Sequence, residues 1–235
     1  MSGLEIIQFD DVLGGGLAEA DERVKANIEK YGYLEYMAIV EEEKKSIEAE
    51  MFRKSNEQHV KRALVQSGLG KRFFSRRFDT FNVNDKNKAA YEACRRIVLE
   101  RSAGVLLQGK NGIGKTHLIA ATINELAAKG KRVRFGNITT LMDRYGKAVT
   151  NCDYLAIDDL GQEYSMGYKQ DDAKVFFYNV VNKLYEQEKG VMITTNLTAA
   201  ETEKKYGAAV LSRLQEMCEI VKYDDIDYRA QKNGN

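Results

Sequence analysis

The sequence predicts an α/β fold in which helices cover both faces of a parallel sheet, preceded by a small all-helical region. Three observations indicate this class. Apolar strands alternate with helices from residue 104 onward, an order typical of parallel sheets. A glycine-rich loop joins the first of these strands to its helix, at residues 109–116, and a later apolar strand ends in two consecutive aspartates.

The N-terminal part has a different pattern. Residues 17–69 lack strand-like alternation, and their apolar positions recur every three or four residues, as Ile28, Tyr31 and Leu34 do. This spacing predicts two or three short amphipathic helices. So small a piece has too little material for a core of its own, so its apolar faces should pack on the main domain or on a partner. We expect a helical partner-binding domain over residues 1–70.

A segment rich in cations and aromatic residues follows. Residues 71–78 mix the two types, which suits contact with single-stranded nucleic acid or with the base of a nucleotide. The alternative is an interdomain strap whose phenylalanines pack while its arginines stay in water, and both readings remain open. We assign residues 71–85 to this linker and residues 86–235 to the main domain. The candidate nucleic-acid residues are Lys71, Arg72, Arg76 and Arg77.

The first strand of the main domain leads into a phosphate-binding loop. After a predicted helix at residues 84–99 and the strand at 104–108, residues 109–116 match G-x-x-x-x-G-K-[ST], and helical spacing follows. A chance glycine-rich turn would lack these flanks. Lys115 should reach the β- and γ-phosphates, and Thr116 should offer its hydroxyl to Mg²⁺. The nucleotide-binding candidates here are Gly109, Lys110, Asn111, Gly112, Ile113, Gly114, Lys115, Thr116 and His117.

The acidic pair ends a later strand. A strand at residues 132–135 and a helix at 139–145 precede the apolar run at 154–161, which contains Asp158 and Asp159. Ligands of parallel sheets bind at the carboxyl ends of strands. Asp158 is therefore predicted to hold Mg²⁺, directly or through water, and Asp159 to orient or deprotonate an attacking water. An isolated Asp pair could equally be a strand end or a helix cap, but its place after the phosphate loop favours function.

The next strand also ends in a polar residue. A helix at residues 171–188 leads to the strand at 190–197, in which Asn196 is predicted to position the water or to contact the γ-phosphate. Thr198 and Glu201 form a capping box for the helix at 199–206, so Asn196 is not required as its cap. A helix at 209–217 and a strand at 219–223 complete the predicted elements.

Composition excludes several classes of protein. The 235 residues are 43% hydrophobic and 30% charged with a net charge of +1, so any nucleic-acid site must be local. No apolar run approaches the roughly 20 residues that span a bilayer, and no signal-like leader is present, which predicts a cytoplasmic protein without a membrane partner. The three cysteines are isolated, with neither C-x-x-C spacing nor a disulfide pattern.

The motifs resemble those of one ATPase superfamily. Residues 112–118, 157–161, 193–196 and 211–214 are similar to the AAA+ superfamily, and within it to the DnaC/DnaI-type helicase loaders and their relatives, the IstB-type transposition helper ATPases. The resemblance covers roughly residues 78–229. It implies that Arg213 is an arginine finger completing a neighbouring subunit's ATP site, and that Arg229 is a second sensor of ATP in its own chain. The family's acidic pair is often Asp-Glu, and the shorter Asp159 side chain implies weak hydrolysis. Some loaders of this family bind zinc in their N-terminal domain, and because no cysteine precedes Cys94 the resemblance implies no zinc here.

The resemblance implies an ATP-dependent loader that places a hexameric replicative helicase on single-stranded DNA during replication initiation, in a bacterial or phage-infected cell. It would bind the helicase through residues 1–70, self-associate through Arg213, and use ATP and Mg²⁺. The alternative is a transposition helper that coats duplex DNA and activates a transposase, with the same nucleotide motifs. A metabolic P-loop kinase is disfavoured, because no acceptor-binding lid is recognised after the Arg213 helix.

Overall fold

A computed structural model describes residues 22–100, 104–162 and 170–222. The contacts divide the chain into two compact units, the first ending at Asn56 and the second beginning at Glu57. The first unit is helical in its described part, where α1 (Glu22–Tyr31) is followed by α2 (Tyr33–Ser67). Gly32, at a φ of 78°, separates the two helices.

Helix α2 is one long helix of 35 residues, whereas the spacing of apolar residues predicted short helices. No glycine or proline occurs between residues 33 and 67, so no local signal ends the helix. The prediction that these helices are amphipathic was also wrong for α2 as a whole, because its apolar residues are distributed around the helix. Met51 and Phe52 remain 68% and 75% exposed.

The division between the units falls within α2, whereas the boundaries predicted from the sequence lie at residues 70 and 85. Leu64 and Leu69 belong to a core cluster of the second unit. The Tyr145 hydroxyl donates a hydrogen bond to the carbonyl oxygen of Gln66 at 3.1 Å. Residues 57–70 therefore pack with the second unit, and the predicted partner-binding role of residues 1–70 stays a prediction.

The described residues of the second unit form a five-stranded parallel sheet in the order β2-β3-β4-β1-β5. Helices connect the strands along the chain. The α/β class with a helix-flanked parallel sheet is thereby confirmed. After a 3₁₀ turn (Lys71–Phe73) the elements are α3 (Lys88–Glu100), β1 (Gly104–Gln108), α4 (Lys115–Ala128), β2 (Val133–Gly136), α5 (Ile138–Tyr145), β3 (Tyr154–Leu160), α6 (Gln170–Glu186), β4 (Gly190–Thr195), α7 (Ala199–Tyr206), α8 (Ala208–Met217) and β5 (Glu219–Lys222).

Helix α3 begins later than predicted, because two asparagines close a turn before it. The Asn84 backbone N–H donates to Asn87 Oδ1 at 2.8 Å, and the Asn87 backbone N–H donates to Asn84 Oδ1 at 3.1 Å. Such side-chain hydrogen bonds compete with helical ones for the same backbone groups. The helix therefore starts at Lys88.

Alternate residues of each central strand enter different core clusters. In β1, Val105 and Leu107 pack in one cluster and Leu106 packs in the other. In β4, Met192 belongs to the first cluster, and Val191 and Ile193 belong to the second. This alternation follows from the two-residue period of a strand. Both faces of the sheet are buried under helices, which explains why its strands are continuous apolar runs.

The sheet order brings three strand ends to one edge. Strand β4 lies between β1 and β3, and Thr195 near its end pairs with Gln108 of β1 and with Leu160 of β3. The glycine-rich loop after β1, the acidic end of β3 and Asn196 after β4 therefore meet at the carboxyl edge of the sheet.

Candidate functional site

The loop at residues 109–116 has a backbone that requires glycine at two positions. Gly112 and Gly114 have φ angles of 84° and 98°, a left-handed region that other residues rarely adopt. A Cβ on Gly114 would also lie 2.9 Å from Cε2 of Phe81. The 14-residue helix α4 starts directly after Gly114, so the partial positive charge of its N-terminus adjoins the loop.

Lys115 places its ammonium group inside this loop. The residue is 4% exposed, and its Nζ donates to the carbonyl oxygens of Gly109 and Lys110, both at 2.6 Å. It also donates to Asn196 Oδ1 at 2.9 Å. A buried cation enclosed by a glycine-rich loop next to a helix N-terminus is suited to bind a polyphosphate.

Asn196 connects the end of β4 to the same loop. Besides accepting from Lys115, it donates through Nδ2 to Asn111 Oδ1 at 2.9 Å. Both contacts link residues more than 80 positions apart in the chain, with separations of 81 and 85. The structure thus brings the three sequence-predicted residues together, although the role of Asn196 stays a prediction.

Asp158 meets Thr116 in the same place. The Thr116 hydroxyl donates to Asp158 Oδ1 at 3.0 Å, and the Thr194 hydroxyl donates to the same oxygen at 2.7 Å. Burial raises the pKa of Asp158, as does the neighbouring Asp159, while the two hydroxyl donors and the Lys115 charge oppose the rise. Hydroxyl and carboxylate oxygens are ligands that Mg²⁺ prefers, so Thr116 and Asp158 fit the predicted metal.

Lys115, Thr116 and Asp158 line one pocket of about 630 Å³. The loop and helix contribute Asn111, Gly112, Gly114, Lys115, Thr116 and His117, and β3 contributes both Asp158 and Asp159. Another wall comes from the segment that precedes α3, through Arg72, Phe73, Arg76, Thr80, Phe81 and Asn82.

The segment that forms this wall is held on α4. Asn124 Nδ2 donates to the carbonyl oxygens of Phe73 and Arg76, at 3.2 and 2.9 Å. His117 Nε2 lies 3.1 Å from the Arg77 carbonyl oxygen, and burial lowers the pKa of His117, with Arg76 adding to the effect and the Arg77 carbonyl opposing it. The wall of the pocket is therefore tied to the helix that begins at the phosphate loop.

The four candidate nucleic-acid residues separate into two pairs. All are exposed, but Arg72 and Arg76 line the pocket whereas Lys71 and Arg77 do not. The phenylalanines of the segment pack inward, with Phe78 4% and Phe81 9% exposed. The segment therefore combines the packed strap with cations that face a nucleotide-sized pocket, and nucleic-acid binding stays a prediction.

The two arginines implied by the family resemblance lie outside this pocket or outside the described residues. Arg213 on α8 donates to the carbonyl oxygen of Ala209 at 3.2 Å and lies 5.7 Å from the centre of the Tyr185 ring. Among the described residues it does not line the pocket of its own chain, which is the arrangement that a finger acting on a neighbour requires. Arg229 falls outside the described residues.

Sequence reasoning missed Thr194 and the pocket contacts of Thr80, Phe81 and Asn82. A threonine in a buried strand is typical of β structure and carries no separate functional signal. The aromatic run that precedes Phe81 is a sequence signal that could have identified this residue. Only the fold shows that Phe81 lies against Gly114.

The remaining titratable groups of the described residues form no further centre. No cluster of three or more His, Cys, Asp or Glu in that part of the chain is placed to hold a metal ion, and the zinc expectation stays a prediction. Cys94 and Cys218 are buried, which raises the pKa of each thiol to about 12.

Among the described helices, none has the length and apolar character needed to cross a membrane.

Comparison with protein families finds one match across nearly the whole chain. The family described as IstB-like ATP binding protein matches residues 15–235. Among curated proteins, the chromosomal replication initiator protein DnaA of Wolinella succinogenes is 31% identical over 136 residues, covering 52% of this chain and 30% of that protein. The DnaA of Mesoplasma florum is 24% identical over 163 residues, covering 63% and 36%. The chain thus spans about a third of the length of these curated relatives.

Solved structures with a similar fold include replication proteins. The crystal structure of the DnaC helicase loader has a TM-score of 0.56 at 26% identity, covering 66% of this chain and 99% of that one. The crystal structure of DnaI has a TM-score of 0.55 at 17% identity, covering 68% and 93%. A replication initiator DnaA bound to AMPPCP and single-stranded DNA has a TM-score of 0.54 at 22% identity, covering 67% and 51%. The last two likenesses concern the fold alone.

Proposed function

Because the chain belongs to the IstB-like ATP-binding protein family, we propose that it hydrolyses ATP to load a hexameric replicative DNA helicase onto single-stranded DNA. The observation that carries the ATPase part is the meeting of Lys115, Asn196 and the Thr116–Asp158 pair at one edge of the sheet, where Lys115, Thr116 and Asp158 line one pocket. These groups come from three separate strand ends, and phosphoryl transfer requires this combination of cation, metal ligands and polar side chain.

Each residue has a role in this proposal. The loop N–H groups and Lys115 bind the phosphates, and Thr116 and Asp158 hold Mg²⁺ directly or through water. The metal supplies charge neutralisation between the phosphates when bound. Asp159 orients or deprotonates the attacking water, and Asn196 positions that water or contacts the γ-phosphate. Arg213 completes the site of a neighbouring copy, and Arg229 is proposed as the second sensor.

The helicase-loading part is supported by similarity to the DnaC helicase loader, of whose solved chain the match covers 99%. The second candidate, an ATPase that binds DNA and activates a transposase, is supported by the IstB-like family match, which extends from residue 15 to residue 235. The nucleotide site is common to both functions. A pulldown of the full chain against a replicative helicase and against a transposase separates them, and capture of the transposase alone would reject the loader.

The exposed apolar residues of α2 provide a test of the partner surface. We expect Met51→Ser with Phe52→Ser to reduce helicase binding at least about tenfold, because each side chain would be buried on docking. ATP affinity should not change. The measurement is biolayer interferometry with the full chain on immobilised helicase. Leu99→Ser, at a position 62% exposed on α3, is the matched control, and an equal loss with this variant would contradict the assignment.

The two pairs of linker cations should have separable effects. We expect Arg72→Ala with Arg76→Ala to weaken ATP binding about tenfold, since these cations line the pocket and a charge-assisted hydrogen bond contributes about 1.5–3 kcal/mol. Lys71→Ala with Arg77→Ala should spare ATP binding but weaken single-stranded DNA binding, lowering the slope of log affinity against log salt by about 0.7 per lost phosphate contact. Fluorescence anisotropy across a salt series measures this slope. An unchanged slope would show that Lys71 and Arg77 do not contact DNA phosphates.

A further inference from the structure

The acidic pair has a geometry that a regular strand cannot provide. Successive side chains of a strand point to opposite faces, yet Asp158 and Asp159 line the same pocket. The pairing of β3 with β4 explains how this occurs. Ile157 pairs with Ile193, but the next pair is Leu160 with Thr195, so β3 advances three residues while β4 advances two. This extra residue is a β-bulge.

The bulge has an unusual backbone at its centre. Asp159 has a φ of 52°, a left-handed conformation that is uncommon for a residue other than glycine. Such conformations persist only where surrounding contacts hold them. The Asp159 N–H lies at this irregular point of the ladder, and an N–H group that is partly withdrawn from water needs a hydrogen-bond partner.

Thr194 supplies that partner. It is fully buried, and its hydroxyl accepts a hydrogen bond from the Asp159 backbone N–H at 2.8 Å. The same hydroxyl donates to Asp158 Oδ1 at 2.7 Å. A hydroxyl has one proton and two lone pairs, so the two bonds are compatible and have fixed directions. One group therefore contacts both residues of the pair.

We infer that Thr194 is the positioning residue of the acidic pair. Its hydroxyl orients the Asp158 carboxylate toward Thr116 and accepts a hydrogen bond from the Asp159 N–H within the bulge, so that both carboxylates face the pocket. The inference rests on the proposed ATP hydrolysis and adds the group that arranges Mg²⁺ binding and water activation. It also distinguishes Thr194 from its neighbour Thr195, whose equally buried hydroxyl donates to the Leu160 carbonyl oxygen at 2.8 Å and accepts from the Leu197 N–H at 3.0 Å.

Three full-length variants test the inference. Thr194→Val removes the hydroxyl at nearly constant shape, Thr194→Ser retains it, and Thr195→Val removes a buried hydroxyl that also makes one donated and one accepted bond. The readouts are ATP affinity by calorimetry in Mg²⁺ and in EDTA, the Mg²⁺ concentration for half-maximal turnover, and thermal unfolding.

We expect Thr194→Val to bind ATP normally in EDTA but to need about 10- to 100-fold more Mg²⁺, with turnover reduced by a similar factor, as is typical when a group supporting a metal ligand is removed. Thr194→Ser should recover most of both losses. Thr195→Val should lower the unfolding temperature about as much as Thr194→Val while keeping the wild-type Mg²⁺ requirement. If valine at position 194 prevents folding, Thr194→Ala compared with Thr194→Ser makes the same test.

Wild-type Mg²⁺ dependence in Thr194→Val would overturn the inference, as would an equal defect in Thr194→Ser or in Thr195→Val. A wild-type protein that binds Mg²⁺–ATP without hydrolysing it would instead refute the proposed function, and the Mg²⁺-dependent affinity would still decide the role of Thr194. A wild-type protein that binds no ATP would refute both.

Discussion

We expect Lys115→Ala to weaken ATP binding at least about 100-fold while the protein remains folded. The Lys115 ammonium is the buried positive charge of the phosphate loop, and its partners are two loop carbonyls and Asn196. Loss of two charge-assisted hydrogen bonds to phosphate, at about 1.5–3 kcal/mol each, corresponds to 100-fold or more in affinity. Calorimetric titration with ATP measures the effect.

The lysine that follows the same helix makes a suitable control. Lys129 follows the last turn of α4, and its Nζ donates to the Val98 carbonyl oxygen at 2.7 Å, so Lys129→Ala also removes a lysine-to-carbonyl hydrogen bond but far from the loop. Lys129→Ala should bind ATP like the wild type.

Asp159→Asn should also retain ATP binding but lose turnover, because it keeps the shape of the side chain and removes its charge. Equal ATP affinity of Lys115→Ala and wild type would show that the loop does not bind the phosphates.

Arg213→Ala should reduce ATP turnover by about 10³-fold or more while leaving ATP binding nearly intact. An arginine finger stabilises charge that develops on the transferred phosphoryl group, and its removal costs 10³ to 10⁵ in rate in well-studied cases. Arg213 does not line the described pocket of its own chain, so the proposed finger would act on a neighbouring copy. Turnover measured against protein concentration should therefore rise for the wild type and stay flat for the variant.

Mixing variants tests action between copies directly. Arg213→Ala retains a complete pocket and Asp159→Asn retains the arginine, so a mixture should recover part of the activity at interfaces that combine the two. Arg132→Ala controls for loss of an exposed arginine, since its guanidinium lies 3.8 Å from Asp153 on the protein surface. Normal hydrolysis by Arg213→Ala, under conditions where wild-type activity depends on concentration, would place the finger elsewhere.

Local sequence was sufficient for most of the elements. Strand β1 and helix α7 have the predicted bounds, and the predicted capping box of Thr198 and Glu201 forms at the start of α7. Both depend on interactions between residues close in the chain. The α3 start and the length of α2 were mispredicted, the first because asparagine side chains replace helical hydrogen bonds and the second because apolar spacing alone does not mark a helix end.

The resemblance to AAA+ ATPases of the DnaC/DnaI and IstB types, drawn from four short motifs, is confirmed by the family match and by the similarity to the DnaC helicase loader. The phosphate loop carries its own signature because its glycines, lysine and threonine are neighbours in the chain. Its strand and helix follow from the same stretch of residues.

The sequence by itself determined the fold class, the phosphate loop, and which strands end in polar residues. Only the tertiary structure decided how these ends meet, since β4 lies between β1 and β3 although it follows both in the chain. That order places Asn196 against Asn111 and Lys115, and it sets Thr194 beside Asp158 and Asp159. A strand order and a one-residue bulge depend on packing between distant segments, so no local pattern of residues encodes them.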